Sequence, residues 1–146
     1  MNNTVRWILL VLAIGSLTLS ACGPAKTSNE KVAPSTVEKV EGSEFSRVTL
    51  TEKAAKRIDV QTAAVETMTI NGSQFKVIPY AAVMYGLDGQ AWTYTNPEPL
   101  VFVRQVIVID HIEGDLAVLS EGPEVGTLVV IVGAPLLYGA EVGVSK

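Results

Sequence analysis

The sequence predicts a mainly β fold: a small antiparallel domain of the β-barrel-like or β-roll kind over residues 46–146, with one short helix near its start. Three observations carry this. Runs of four to eight residues rich in Val, Ile, Thr and aromatics recur from residue 60 onward. Turn signals punctuate them: Asn71-Gly72, Asp88-Gly89, Glu113-Gly114-Asp115 and the Gly-Pro segment 121–126. Helical spacing is confined to residues 51–58.

The elements follow in order. Residues 47–50 form a short extended entry. Thr51 can accept an early backbone N–H as N-cap, Glu52 suits the first turn, and Lys56 and Arg57 suit the last. Ala54, Ala55 and Ile58 give that helix an apolar face at i, i+1 and i+4. Residues 59–65 read as a strand. Asn71-Gly72 then closes a hairpin between 68–70 and 74–78. Residues 80–85 read as extended, turn at Asp88-Gly89 and return through 91–95. The run 100–109 is long and β-branched, broken in polarity by Arg104 and Gln105. Two further strands occupy 116–119 and 127–132, and a small turn is expected near 135–138.

Composition bounds the function. The chain has 146 residues, enough for one ordinary domain. A single Cys excludes a disulfide framework and a Cys-rich zinc site, and a single His excludes a His-clustered metal centre. The formal net charge of −4 argues against a nucleic-acid partner, which needs a basic stripe.

The mean hydropathy of +0.33 is high for a soluble chain, and much of the excess lies in residues 7–20. These 14 residues carry no charge, follow Arg6 and precede small residues. As a helix they would rise about 21 Å, short of the roughly 30 Å of a hydrocarbon core. A basic start, a short apolar centre and a small-residue exit describe a secretory signal peptide over residues 1–21. Leu19-Ser20-Ala21-Cys22 resembles the lipobox of bacterial lipoproteins. That resemblance implies cleavage between Ala21 and Cys22, and a diacylglyceryl group on the Cys22 thiol. The lone Cys of the chain stands at the position the motif requires. Removing 1–21 takes away Arg6 and no acid, leaving ten basic against fifteen acidic side chains. Residues 22–45 follow as lipidated Cys and flexible tether, rich in Gly, Pro, Ser, Thr, Lys and Glu and without a sustained period.

Few residues offer chemistry. His111 lies beside Asp110, with Glu113 and Asp115 near, but a general base or metal ligand needs partners converging from elsewhere. The segment 110–115 reads instead as a polar turn. Tyr80, Tyr85, Trp92, Tyr94 and Phe102 cluster around the Asp88-Gly89 hairpin, which cross-strand packing explains more readily than a ligand platform. No phosphate-binding glycine loop, nucleophile elbow or Cys–His pair is present. The expectation is a non-enzymatic protein with no catalytic residue, metal site or cofactor.

From residue 77 onward the chain resembles the C-terminal part of the periplasmic adaptor subunits (membrane fusion proteins) of resistance-nodulation-division (RND) efflux systems. The resemblance rests on residues 77–83, Asp88-Gly89 with Trp92-Thr93-Tyr94, and Phe102-Val103-Arg104. It continues through Glu113-Gly114-Asp115, residues 121–126, 129–133 and 137–141. Thr127 departs from the pattern, which usually has Asp after Gly. Residues 48–58 with Val60, Thr62 and Val65 look like the segment by which adaptors enter the same membrane-proximal domain. In a full adaptor the chain then leaves through a lipoyl domain, a helical hairpin and a β-barrel before returning; here about ten residues, 66–75, separate departure from return. The resemblance implies a membrane-proximal domain alone. Its implied place is an extracytoplasmic membrane surface, anchored by the N-terminal lipid, with a membrane transporter subunit or another adaptor protein as partner. A stand-alone lipoprotein binding a small ligand or metal, and an envelope structural protein, are the alternatives.

Overall fold

The computed structural model describes residues 33–42 and 45–143; the expected leader, Ala21 and Cys22 lie outside them. Within the described residues eleven strands form two antiparallel sheets. The larger contains β1 (Ser35–Lys39), β2 (Ser46–Leu50), β8 (Val101–Val106), β7 (Ala91–Glu98), β11 (Leu128–Val132) and β3 (Gln61–Ala64) in that spatial order. The two-residue strand β6 (Met84–Tyr85) also pairs with β7. The smaller sheet runs β4 (Glu66–Ile70), β5 (Ser73–Pro79), β10 (Leu116–Glu121), β9 (Val108–Glu113). The mainly β, antiparallel class with a short helix near its start is what the sequence predicts. The sheets do not close into a barrel: each keeps two edges.

The partition into two sheets turns on single residues. Val65 separates β3 from β4, and Ile107 separates β8 from β9. Both are almost fully buried and belong to one apolar cluster with Ile78, Ala117, Leu119 and Val129. Each is tied by backbone bonds that end the ladder on one side: Val65 N–H donates to Thr127 O at 2.8 Å, and Ile107 N–H to Ala91 O at 3.0 Å. The long β-branched run 100–109 is therefore two strands in different sheets, bent where Ile107 turns inward.

A second cluster occupies the other face of the larger sheet, with Val48, Leu50, Trp92, Tyr94, Phe102, Val130 and Leu137 at its centre. Alternation along β7 and β11 serves both clusters. Trp92, Tyr94 and Val130 point one way, and Ala91, Val129 and Ile131 the other, as a period of two requires. Two helices cover the second cluster. The first, α1 (Glu52–Arg57), starts as predicted: Thr51 Oγ1 accepts Ala54 N–H at 3.2 Å, and Ala54, Ala55 and Ile58 pack inward. The second, α2 (Ala134–Glu141), stands where the sequence suggested only a small turn. Pro135 fits its first turn, where the missing N–H costs nothing. Gly133 precedes it at φ +95°, a conformation an L side chain rarely adopts. Leu137, fully buried, holds α2 down. Leu137→Ala should lower the unfolding free energy by about 2–5 kcal/mol in urea titrations, from lost burial and the cavity left behind.

The other sequence expectations divide as follows. The Asn71-Gly72 hairpin is present, with register Ile70↔Ser73 and φ of 50° and 84° at the two turn residues, the left-handed pair a type I′ turn needs. Residues 80–85 are not extended throughout: Tyr80–Ala82 is a single 3-10 turn before β6. The expected tether 22–45 is shortened by β1, which pairs with β2 over five positions from Ser35↔Leu50 to Lys39↔Ser46. Four of its five side chains are exposed, so backbone hydrogen bonding and not an apolar face places it. That is why its polar sequence reads as coil. Glu38 and Lys39 stand on this edge strand, where charge discourages further pairing.

Candidate functional site

The densest constellation of polar and aromatic side chains lies where α2 crosses β7 and β8. Strand alternation on β7 puts Trp92 and Tyr94 on the α2 side, and the register Tyr94↔Arg104 sets Arg104 of β8 beside them. Helix α2 supplies Tyr138 and, one turn on, Glu141. The Glu141 side chain is 4% exposed and accepts three hydrogen bonds. Arg104 Nη2 donates at 3.1 Å and Ser46 N–H at 3.2 Å, both to Oε1, while Tyr94 Oη donates to Oε2 at 2.5 Å. The Arg104 guanidinium carbon lies 4.4 Å from the Phe45 ring centroid, 5.0 Å from Trp92 and 5.5 Å from Tyr138. Trp92 meets Tyr94 edge-on at 5.5 Å, with an interplanar angle of 85°.

Chemically this is a clasp. An aromatic cage of the kind that takes a cationic ligand is here filled by the protein's own arginine. Its charge is met by one carboxylate, which in turn fixes β2 through Ser46 and β7 through Tyr94. Burial and the Glu141 carboxylate beside it hold the Tyr94 phenol well above its ordinary value, against a smaller opposing pull from Arg104. The sign follows. Above about pH 10 the unfolded chain loses the phenolic proton while the folded protein keeps it. Stability from this group is complete below that pH and falls above it by about 1.4 kcal/mol per pH unit. In urea titrations between pH 9 and 11, Tyr94→Phe should give a visibly shallower alkaline decline than the parent chain.

The aromatic set expected around the Asp88-Gly89 hairpin is split by the fold. Trp92, Tyr94 and Phe102 are core, whereas Tyr80 and Tyr85 are 44% and 54% exposed. Only Tyr85 of the five reaches the groove of 610 Å³ beside the hairpin, whose other walls include Gln90, Ala91, Val106 and Ile109. His111 sits on strand β9 and not in a polar turn; the turn is limited to Gly114 and Asp115. Its Nδ1 lies 2.8 Å from Asp110 Oδ2 and its Nε2 3.8 Å from Glu113 Oε2, all three side chains being substantially exposed. Among the described residues no three His, Cys, Asp or Glu side chains are grouped so as to hold a metal ion. Nor is any described helix long and apolar enough to cross a membrane.

Sequence reasoning missed Glu141 and Phe45. The available signal was the unexplained charge of Arg104 inside a β-branched run, which requires a carboxylate from elsewhere if it is buried. No protein-family model, curated protein or solved structure matches the chain.

Proposed function

We propose that this protein is an extracytoplasmic, membrane-anchored lipoprotein, acting without enzymatic chemistry as an accessory or reduced periplasmic adaptor beside an RND-type efflux transporter. The observation that carries the reading is sequence order: a lipobox ending in the lone Cys22, then adaptor-like segments in adaptor order over residues 48–65 and 77–141.

The fold supports it at one point in particular. Adaptors leave the membrane-proximal domain for a long excursion and return to it. Here Glu66 and Val77, the points of departure and return, face each other in the β4–β5 register. A tight turn at Asn71 and Gly72 can therefore stand in place of an excursion without moving either strand, at a lower loop-closure cost. The β1 strand fits the anchored geometry, because its pairing with β2 begins at Ser35 and so shortens the stretch of sequence between Cys22 and the folded domain. The domain is then kept at the bilayer, where a membrane protein is within reach.

Cross-linking in intact membranes followed by purification in mild detergent should recover a transporter subunit with this chain. Recovery of the protein alone, repeated across cross-linker lengths, would reject the transporter association.

A further inference from the structure

We propose that the solvent face of α1 rests on the anionic phospholipid headgroups of the bilayer that holds the anchor, and so sets which pole of the domain faces the membrane. The proposal rests on acylation of Cys22. It is carried by where the tether ends and by what charge stands there.

The tether enters the fold at Pro34, and Pro34 is fixed to the start of α1: its carbonyl accepts Thr51 N–H at 3.0 Å and Thr51 Oγ1 at 3.4 Å. The same Thr51 caps the helix. Whatever distance the tether allows, the start of α1 adjoins the attachment point, beside the first residue of β1. Ala54, Ala55 and Ile58 face the core, so helical geometry turns Lys53 and Lys56 directly outward, with Glu52 and Arg57 at their flanks. Lys53, Lys56 and Arg57 are exposed, and none lies within ion-pairing distance of a carboxylate among the described residues. Of the other described cations, Arg47 pairs with Glu98, Lys76 with Glu124 and Arg104 with Glu141, which leaves only Lys39, at the far end of β1, without an ion pair. The acids nearest in sequence are Glu52, which favours the helix N-terminus, and Asp59, which accepts from Gln61 at 2.7 Å.

An acidic domain anchored at an anionic surface is repelled by it over most orientations. Turning α1 toward the headgroups brings the unpaired cations Lys53, Lys56 and Arg57 within a Debye length of about 8 Å, where they outnumber the one carboxylate of the helix, Glu52. The tether and the charge thus select the same pole.

The test uses the mature acylated protein in vesicles of phosphatidylcholine alone or mixed with phosphatidylglycerol. Lysines are pulse-acetylated and read by mass spectrometry. Lys53 and Lys56 should label about fivefold more slowly on the anionic vesicles, with the protection lost in high salt. Lys39, at the far end of β1 from Pro34, should label equally on both. Equal labelling of Lys53 and Lys56 on the two vesicles, in protein that carries the lipid mass, overturns the proposal and leaves the lipoprotein reading intact. So does protection as strong at Lys39 as at Lys53. Protection in native membranes but not on anionic vesicles would assign the surface to an acidic protein partner and also overturn it. Absence of lipid mass on Cys22 would overturn the lipoprotein reading, and this proposal with it.

Discussion

Replacing Glu141 with Ala should destabilise the domain by about 3–5 kcal/mol, the cost of leaving a partly buried charge without its partner. Three groups lose their acceptor at once: the Arg104 guanidinium, the Tyr94 hydroxyl and the Ser46 N–H. Water cannot replace the carboxylate fully, because the Arg104 side chain is 17% exposed and Tyr94 is fully buried. For a domain of this size the loss corresponds to a fall in melting temperature of roughly 10–25 °C. Glu141→Gln should cost less, since its amide oxygen can still accept one of the three bonds. The decisive comparison is a triple replacement, Glu141→Leu with Arg104→Met and Tyr94→Phe. It removes the charges and the hydroxyl together and should recover much of the loss, as buried ion pairs exchanged for apolar side chains commonly do. Urea denaturation of the single and combined variants checks both statements. A Glu141→Ala variant as stable as the parent would show that the clasp contributes no net stability.

Cys22→Ser should abolish acylation altogether, measured as incorporation of labelled palmitate and as intact mass. A serine hydroxyl is not the thiolate-forming nucleophile that thioether formation requires. Two or more acyl chains hold a protein durably at a bilayer, whereas one chain alone binds reversibly. Without them the mature chain would present an acidic domain and a polar tether, neither of which inserts. Extraction at alkaline pH should therefore leave the parent protein with the membranes. A variant processed to the mature domain should be released, and one that keeps its leader should be recognised by its larger mass. Label retained by Cys22→Ser, or none on the parent, would reject lipidation at this position. The two variants test different properties: Glu141→Ala the stability of the fold, Cys22→Ser the proposed membrane anchor.

The legibility of this protein follows the range of the forces involved. Asn71-Gly72 announces its hairpin because left-handed φ at both turn residues is nearly a property of those residue types. Thr51, Glu52, Lys56 and Arg57 announce α1 because capping and dipole effects act within one turn. Helix α2 is concealed for the opposite reason. Pro135 and Gly139 weaken its local preference, and it is held by distant partners: Leu137 in the core and Glu141 on Arg104. The aromatic residues of 80–102 are adjacent in the chain, yet α2 and strand alternation draw Trp92 and Tyr94 inward and leave Tyr80 and Tyr85 outside.

By itself the sequence determined the mainly β class, the hairpins, the first helix and the chemical distinctness of Cys22, all of them set by neighbours within a few residues. Tertiary structure alone decided that residues 35–39 join the sheet, that Val65 and Ile107 divide one long meander into two sheets, and that Arg104 is enclosed. Those outcomes depend on groups brought together from far along the chain, as Glu141 is to Ser46 and Val65 to Thr127. Backbone bonds and buried charges take their partners from wherever the fold supplies them, and no local pattern records which partner that will be.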